Sequence, residues 1–113
     1  MSTSNFTKAM MLNPNKYTIY NNLGAVLEKI GNYDSAIQML GIGVKLNPNN
    51  VIGFYNLGIA LDKKGDLVSA IKIYEKAVEL KHAKSDEIKK RISQIQDFIK
   101  KNPKRRYSFN VGG

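Results

Sequence analysis

The 113 residues include no cysteine, no tryptophan and a single histidine, and acids number half the bases, 9 against 18. Without cysteine there can be neither a disulfide framework nor a thiolate metal site, and the sequence shows no metal-ligand spacing. No apolar run approaches the roughly 18 residues that a membrane span needs. The polar start, Met1-Ser2-Thr3-Ser4-Asn5, lacks the charged and apolar regions of a secretory signal, so a soluble cytoplasmic chain is expected. Gly41 and Gly43 lie inside a helical pattern and not after a strand, which excludes a glycine-rich phosphate loop. His82 has no neighbouring pair of carboxylates, and its place at a helix end suits a cap or turn. No catalytic residue and no cofactor are therefore expected.

What is present suffices for one packed domain: 42% of residues are hydrophobic, close to the globular norm. The excess of positive charge is unevenly spread. Residues 81–106 carry ten bases against three acids, a net +7, which leaves only +2 of the total +9 for the rest of the chain. Such a basic end attracts acidic peptide, nucleic acid or anionic lipid.

The sequence repeats itself. Tyr20-Asn21-Asn22-Leu23-Gly24 recurs as Phe54-Tyr55-Asn56-Leu57-Gly58, an offset of 34 residues. The same offset carries Leu27 to Leu61, Gly31 to Gly65, Ala36 to Ala70, Leu40 to Tyr74 and Leu46 to Leu80. Each unit reads as two helices. Tyr20, Leu23, Gly24 and Leu27 have the spacing of one helical face. Gly31-Asn32 then ends that helix and caps the next, and Gly65-Asp66 repeats the device. Second helices are predicted at about Tyr33–Leu46 and Leu67–Leu80. They bury Ala36, Ile37, Leu40 and Val44 in one unit, and Ala70, Ile71, Tyr74, Ala77 and Val78 in the other. Asn13-Pro14-Asn15 and Asn47-Pro48-Asn49 separate the units.

An aromatic residue, then Leu-Gly and Leu, then Ala and a large apolar residue, then Pro, at a period of 34, resembles the tetratricopeptide repeat. Tyr20 and Phe54 stand where that family favours Trp, Leu27 and Leu61 where it favours Tyr, and His82 where a Pro is usual. The resemblance covers roughly residues 6–100 and implies an all-α solenoid of antiparallel helix pairs. Its concave face would be lined by the first helix of each unit. Small Gly24, Gly58, Ala36 and Ala70 fit the places where paired helices approach closely. The organisation expected is a helix stub over residues 1–14 that closes a preceding half-repeat, repeats over 15–48 and 49–84, a capping helix over 85–101, and a basic, disordered tail over 102–113. Phe6, Ala9, Leu12 and Pro14 carry the stub. Ser85-Asp86-Glu87 opens the last helix with a cap at Ser85 and two acids near the positive end of its dipole; its apolar stripe is Ile88, Ile92, Ile95 and Ile99, and Asn102-Pro103 stops it.

Carrying the family's inner positions over residue by residue places Thr18, Asn21, Ala25 and Glu28 on the concave face from the first unit. The second unit gives Ile52, Tyr55, Asn56, Ile59, Asp62 and Lys63, and the last helix gives Asp86, Lys89, Lys90 and Ser93. Some family members clamp a partner's terminal carboxylate with Lys and Asn, then Asn, then Lys and Arg. Asn56 keeps the middle Asn and Lys90 stands for the last cation, but Asn21, Ala25 and Asp86 replace the others, so the clamp is incomplete. An apolar floor of Ala25, Ile52, Tyr55 and Ile59 suits an inserted side chain, while Asn21 and Asn56 offer donor and acceptor to a peptide backbone. The function expected is a scaffold that binds a peptide or helix of a partner protein in this groove.

Two alternatives remain at this stage. The basic end, including Lys100-Lys101-Asn102-Pro103-Lys104-Arg105-Arg106, can bind nucleic acid or an anionic surface, although only Tyr107 and Phe109 supply aromatics beside it and nucleic acid is not the expected partner. That cluster also resembles a nuclear-localisation signal, and Arg105-Arg106-Tyr107-Ser108 a site for a basophilic kinase. Two units with unpaired ends leave apolar surface exposed, which favours self-assembly into a homo-oligomer. Tyr107 to Val111 alternates apolar and polar as an extended segment does.

Overall fold

A computed structural model describes residues 16–105 and 107. Five helices follow one another, α1 (Tyr17–Lys29), α2 (Tyr33–Leu46), α3 (Val51–Lys64), α4 (Leu67–Glu79) and α5 (Ser85–Lys101), and the described residues contain no strand. α1 pairs with α2 and α3 with α4; α2 packs on α3, α4 on α5, and α1 lies alongside α3. This is the expected all-α solenoid of consecutive helix pairs. The expected stub, with Phe6, Ala9, Leu12 and Pro14, lies outside the described residues.

The turns follow from the sequence as predicted. Gly31 (φ 87°) and Gly65 (φ 97°) take the left-handed conformation that ends α1 and α3. The carbonyls freed there accept from the residue that follows, Asn32 N–H to Leu27 O at 2.9 Å and Asp66 N–H to Leu61 O at 3.0 Å. Asn32 and Asp66 then cap the next helices, their Oδ1 atoms accepting from Ser35 and Ser69 N–H, each at 3.4 Å.

Packing within each pair explains the small residues. A methyl group at Gly24 would overlap the Leu40 side chain, and one at Gly58 would meet the Tyr74 ring at 2.6 Å. Each first helix therefore lies directly on the large residue of its second helix. Ala36, Leu40, Ala60, Ala70 and Ala77 are completely buried, and Leu57, Leu61, Leu67, Tyr74, Ile88 and Ile95 join them in one core. Ile37, Val44, Ile71 and Val78 pack at its edge, half-buried.

Two features of the C-terminal end differ from the sequence reading. Ser85 does not cap α5: it is the first helical residue, and its hydroxyl donates back to the His82 carbonyl at 2.6 Å, while Lys84 precedes the helix without a side-chain cap. The basic tail is not free from residue 102 onward, because the chain doubles back and seats Tyr107. That ring is buried edge-on against Phe98, with centroids 5.7 Å apart. Its hydroxyl donates to Asn102 O at 2.7 Å, and its carbonyl accepts from Val68 N–H at 3.2 Å. Val68 is in the first turn of α4, where N–H groups have no partner within the helix. Tyr107 O supplies one. The expected extended segment beyond Tyr107 lies outside the described residues.

Candidate functional site

Along α3, the residues Tyr55, Ile59, Asp62 and Lys63 share a face that looks toward α5 across a cleft of about 320 Å³. Tyr74 of α4 forms the floor, and Glu87, Ile88 and Arg91 of α5 form the opposite wall. Tyr55 is flanked at the mouth by His82, ring centroids 4.4 Å apart, and by the Lys84 ammonium 5.8 Å from its ring centre.

Three of the four charged residues lining this cleft, Asp62, Lys63 and Arg91, are held in ion pairs. Asp62 accepts two hydrogen bonds from Arg91, from Nε to Oδ2 and from Nη2 to Oδ1, both at 2.7 Å, and a third from the Tyr74 hydroxyl at 2.9 Å. Asp62 thus ties α3 to both α4 and α5. Its hydrogen bond raises the pKa of the Arg91 guanidinium; burial, and secondly Asp62, push the Tyr74 phenol well above its usual range. Lys63 donates to Glu28 Oε2 at 2.8 Å, linking α3 to α1, and this bond raises the Lys63 pKa. Beyond the Asp62–Arg91 bridge a second cleft of about 390 Å³ continues between Gly65, Leu67, Gln94, Ile95 and Phe98. The bridge divides one groove into two compartments. Their walls are apolar, and a fixed ion pair stands between them.

The structure sorts the residues predicted for this surface. Tyr55, Ile59 and Lys63 come together in the first compartment. Asn56 is the next residue on α3, half-buried, with no side-chain hydrogen bond among the described residues. Ala25 is half-buried on α1. Ile52 is 58% exposed and lies at the other end of α3, beside a smaller cavity shared with Tyr17, Thr18, Asn21, Asn49, Asn50 and Val51.

Three placements correct the sequence reading. Asn21 is buried, and its amide exchanges two hydrogen bonds with the Asn50 amide, each 2.8 Å. Lys89 lines a cleft on the other side of α5 with Glu75, Val78, Ile92 and Gln96. Lys90 is exposed and, like Asp86 and Ser93, lines none of the clefts described here. The groove side of α5 is instead Glu87, Ile88 and Arg91. α5 keeps the 34-residue register: its apolar stripe of Ile88, Ile92 and Ile95 stands at the positions of Phe54, Gly58 and Leu61 and packs inward on the core, so that Glu87 and Arg91 beside it face α3 while Lys89 and Lys90 lie outside the cleft. The signal for Arg91 was present in that stripe, which it directly borders.

Among the described residues no helix is long and apolar enough to cross a membrane, and no cluster of His, Asp or Glu is arranged to hold a metal ion. The sequence matches the tetratricopeptide repeat family twice, over residues 5–38 and over residues 53–83. No curated protein matches the chain.

Proposed function

Because this chain belongs to the tetratricopeptide repeat family, we propose that it is a binding scaffold that holds an extended segment of a partner protein in the groove between α3 and α5. Repeats of this family generally mediate contacts between proteins and are typically not enzymes. The observation that carries the reading is the first compartment: an open cleft walled by Tyr55, Ile59 and Ile88 and floored by Tyr74. An apolar side chain of the partner entering there displaces water from apolar walls, and Tyr55 provides the large, rigid contact typical of central interface residues. Asn56 follows Tyr55 on α3, and its amide donors and acceptor are suited to the partner's backbone. Glu28, Lys63, Asp62 and Arg91 are already paired, so they shape the groove without requiring a charged ligand.

Peptides selected on the full chain by display, then measured by calorimetry, test this. Tyr55→Ala and Asn56→Ala should each weaken the selected peptides by about 1–2 kcal/mol, with helicity unchanged. Ile59→Lys should abolish binding. Unchanged affinity in all three folded variants would move the site off this groove.

A further inference from the structure

Outside α1, the exposed large hydrophobic side chains among the described residues are Ile52, Val68 and Phe98. The last two border the seat of Tyr107: Val68 donates its N–H to the Tyr107 carbonyl, and Phe98 takes the Tyr107 ring edge-on. Phe98 stays 40% exposed, although Tyr107 meets it on one side and the Arg105 guanidinium lies 5.6 Å from its ring centre. It is also a wall of the second compartment, with Leu67 and Ile95 as the other large apolar walls. That compartment thus begins where the chain has just doubled back. From Phe98 it runs along α5 past Ile95 and Gln94 to the Asp62–Arg91 bridge.

We propose that the second compartment is the seat of this chain's own C-terminal segment, with the Phe109 ring lying against Phe98, Leu67 and Ile95. The sequence changes character at the point of entry. Residues 100–106 carry five cations, Lys100, Lys101, Lys104, Arg105 and Arg106, whereas residues 107–113 carry no charged side chain. The only charges lining the compartment, Asp62 and Arg91, neutralise each other, so it suits an uncharged segment and gives no hold to the cationic run before it. Spacing agrees as well. Alternate side chains of an extended segment share one side at a separation of about 7 Å, which puts Phe109 on the side of Tyr107. Helical rise sets Ile95 and Gln94 about 4.5–6 Å from Phe98 along α5, and Arg91 about 10 Å from it. A segment continuing back along α5 from Tyr107 brings Phe109 level with Ile95 and Gln94, and Val111 to the bridge. Tyr107 and Phe109 are then paired aromatic anchors, and the bridge keeps the segment out of the first compartment. This seat is independent of whatever the first compartment binds.

Nuclear Overhauser contacts in the full chain test it. The Phe109 ring protons should contact the methyl groups of Leu67 and Ile95, and isotope-filtered spectra of mixed labelled and unlabelled chains should lack those contacts. Phe109→Ser should lower the melting midpoint by several degrees and speed exchange of the Val68 amide several-fold, with the helical spectrum unchanged. Asn110→Ser, on the other side of the segment, should alter neither. A Phe109 ring without contact to these walls overturns the proposal, as does a midpoint indifferent to Phe109→Ser. Contacts seen only between labelled and unlabelled chains would assign the compartment to a second copy. Contacts to Val78 or Ile92 would put the segment on the other side of α5, and a compartment filled only by a peptide selected on the full chain would belong to the partner.

Discussion

Between the two repeats, Asn21 and Asn50 face each other, and the chain makes room for them with two glycines. Asn50 Oδ1 also accepts from Gly53 N–H at 2.9 Å, so one side chain caps α3 and ties it to α1. A methyl group at Gly53 would overlap the Asn50 amide, and one at Gly43 would lie 3.0 Å from Asn21 Oδ1 and 3.4 Å from Asn50 Nδ2. Gly41, two residues away in the same helix, has nothing within 4 Å of that position. Gly41→Ala should therefore stabilise the fold by about 0.8–1.0 kcal/mol, the ordinary difference in helix propensity. Gly43→Ala should lose stability, by about 1–3 kcal/mol if the amide pair cannot shift. Thermal melts of the two variants check both signs. The family register indicates an outward Gly41 and a Gly43 that meets the next unit. It does not reveal Asn21's partner, because an amide in mid-helix looks the same whether its partner is Asn50 or another molecule. A second residue-scale prediction concerns Lys81, which adopts φ 65°, the conformation taken elsewhere in this chain by glycine. Its N–H and that of His82 bond the last carbonyls of α4, to Val78 O at 2.9 Å and Ala77 O at 3.1 Å. Lys81→Gly keeps both bonds and removes the steric cost of a left-handed side chain, so it should raise stability by about 1 kcal/mol in denaturant titration.

The helices themselves, their caps and their buried stripes were legible because each rests on local chemistry: periodicity, a left-handed glycine, a capping Asn or Asp. Which polar residues of α5 line the cleft was not, since that depends on where α3 meets α5 and not on the repeat's concave positions alone: Glu87 and Arg91 do, and Lys89 and Lys90 do not. Tyr107 escaped for a similar reason: the basic run around it reads as solvated, and only the tertiary fold brings the first turn of α4 to its carbonyl. The joint between α4 and α5 carries a pH-dependent prediction. His82 Nδ1 accepts from Lys84 N–H at 2.8 Å, which requires that nitrogen to be unprotonated. Burial, and secondly the charge of Lys84, hold the His82 pKa below its ordinary 6.5. Between the lowered value and 6.5 the unfolded chain binds more protons than the folded one, so stability falls as the pH drops through that window and levels off below it. Melts from neutral pH downward should show this decline, and His82→Gln, which leaves no histidine, should flatten it.

For the whole molecule, the separation of charge from groove decides what its binding should look like. Of the net +7 of residues 81–106, Lys81 and Lys84 precede α5 and the remaining +5 belongs to α5 and the segment after it, where Lys89, Lys90, Lys100, Lys104 and Arg105 are exposed. Lys89 opens onto a different cleft, and among these five only Arg105 is engaged, by the Phe98 and Tyr107 rings at 5.6 and 5.9 Å. The groove, by contrast, has its cations occupied by Asp62 and Glu28 and offers apolar walls. A partner held in the groove gains from burying apolar surface, which added salt barely changes. A partner held by the basic end gains from releasing counterions and loses affinity steeply as salt rises, on the order of a thousandfold or more between about 50 and 200 mM for six or more phosphate contacts. Peptides selected on the full chain should therefore keep their affinity within a few fold across that range, while an oligonucleotide used as a polyanion probe should follow the steep dependence if it binds at all. Tyr55→Ala separates the two further, since it should weaken the peptide and leave the oligonucleotide unaffected. If peptide affinity instead collapses with salt and is indifferent to Tyr55, the basic end is the binding surface and the groove is only the packing of three helices.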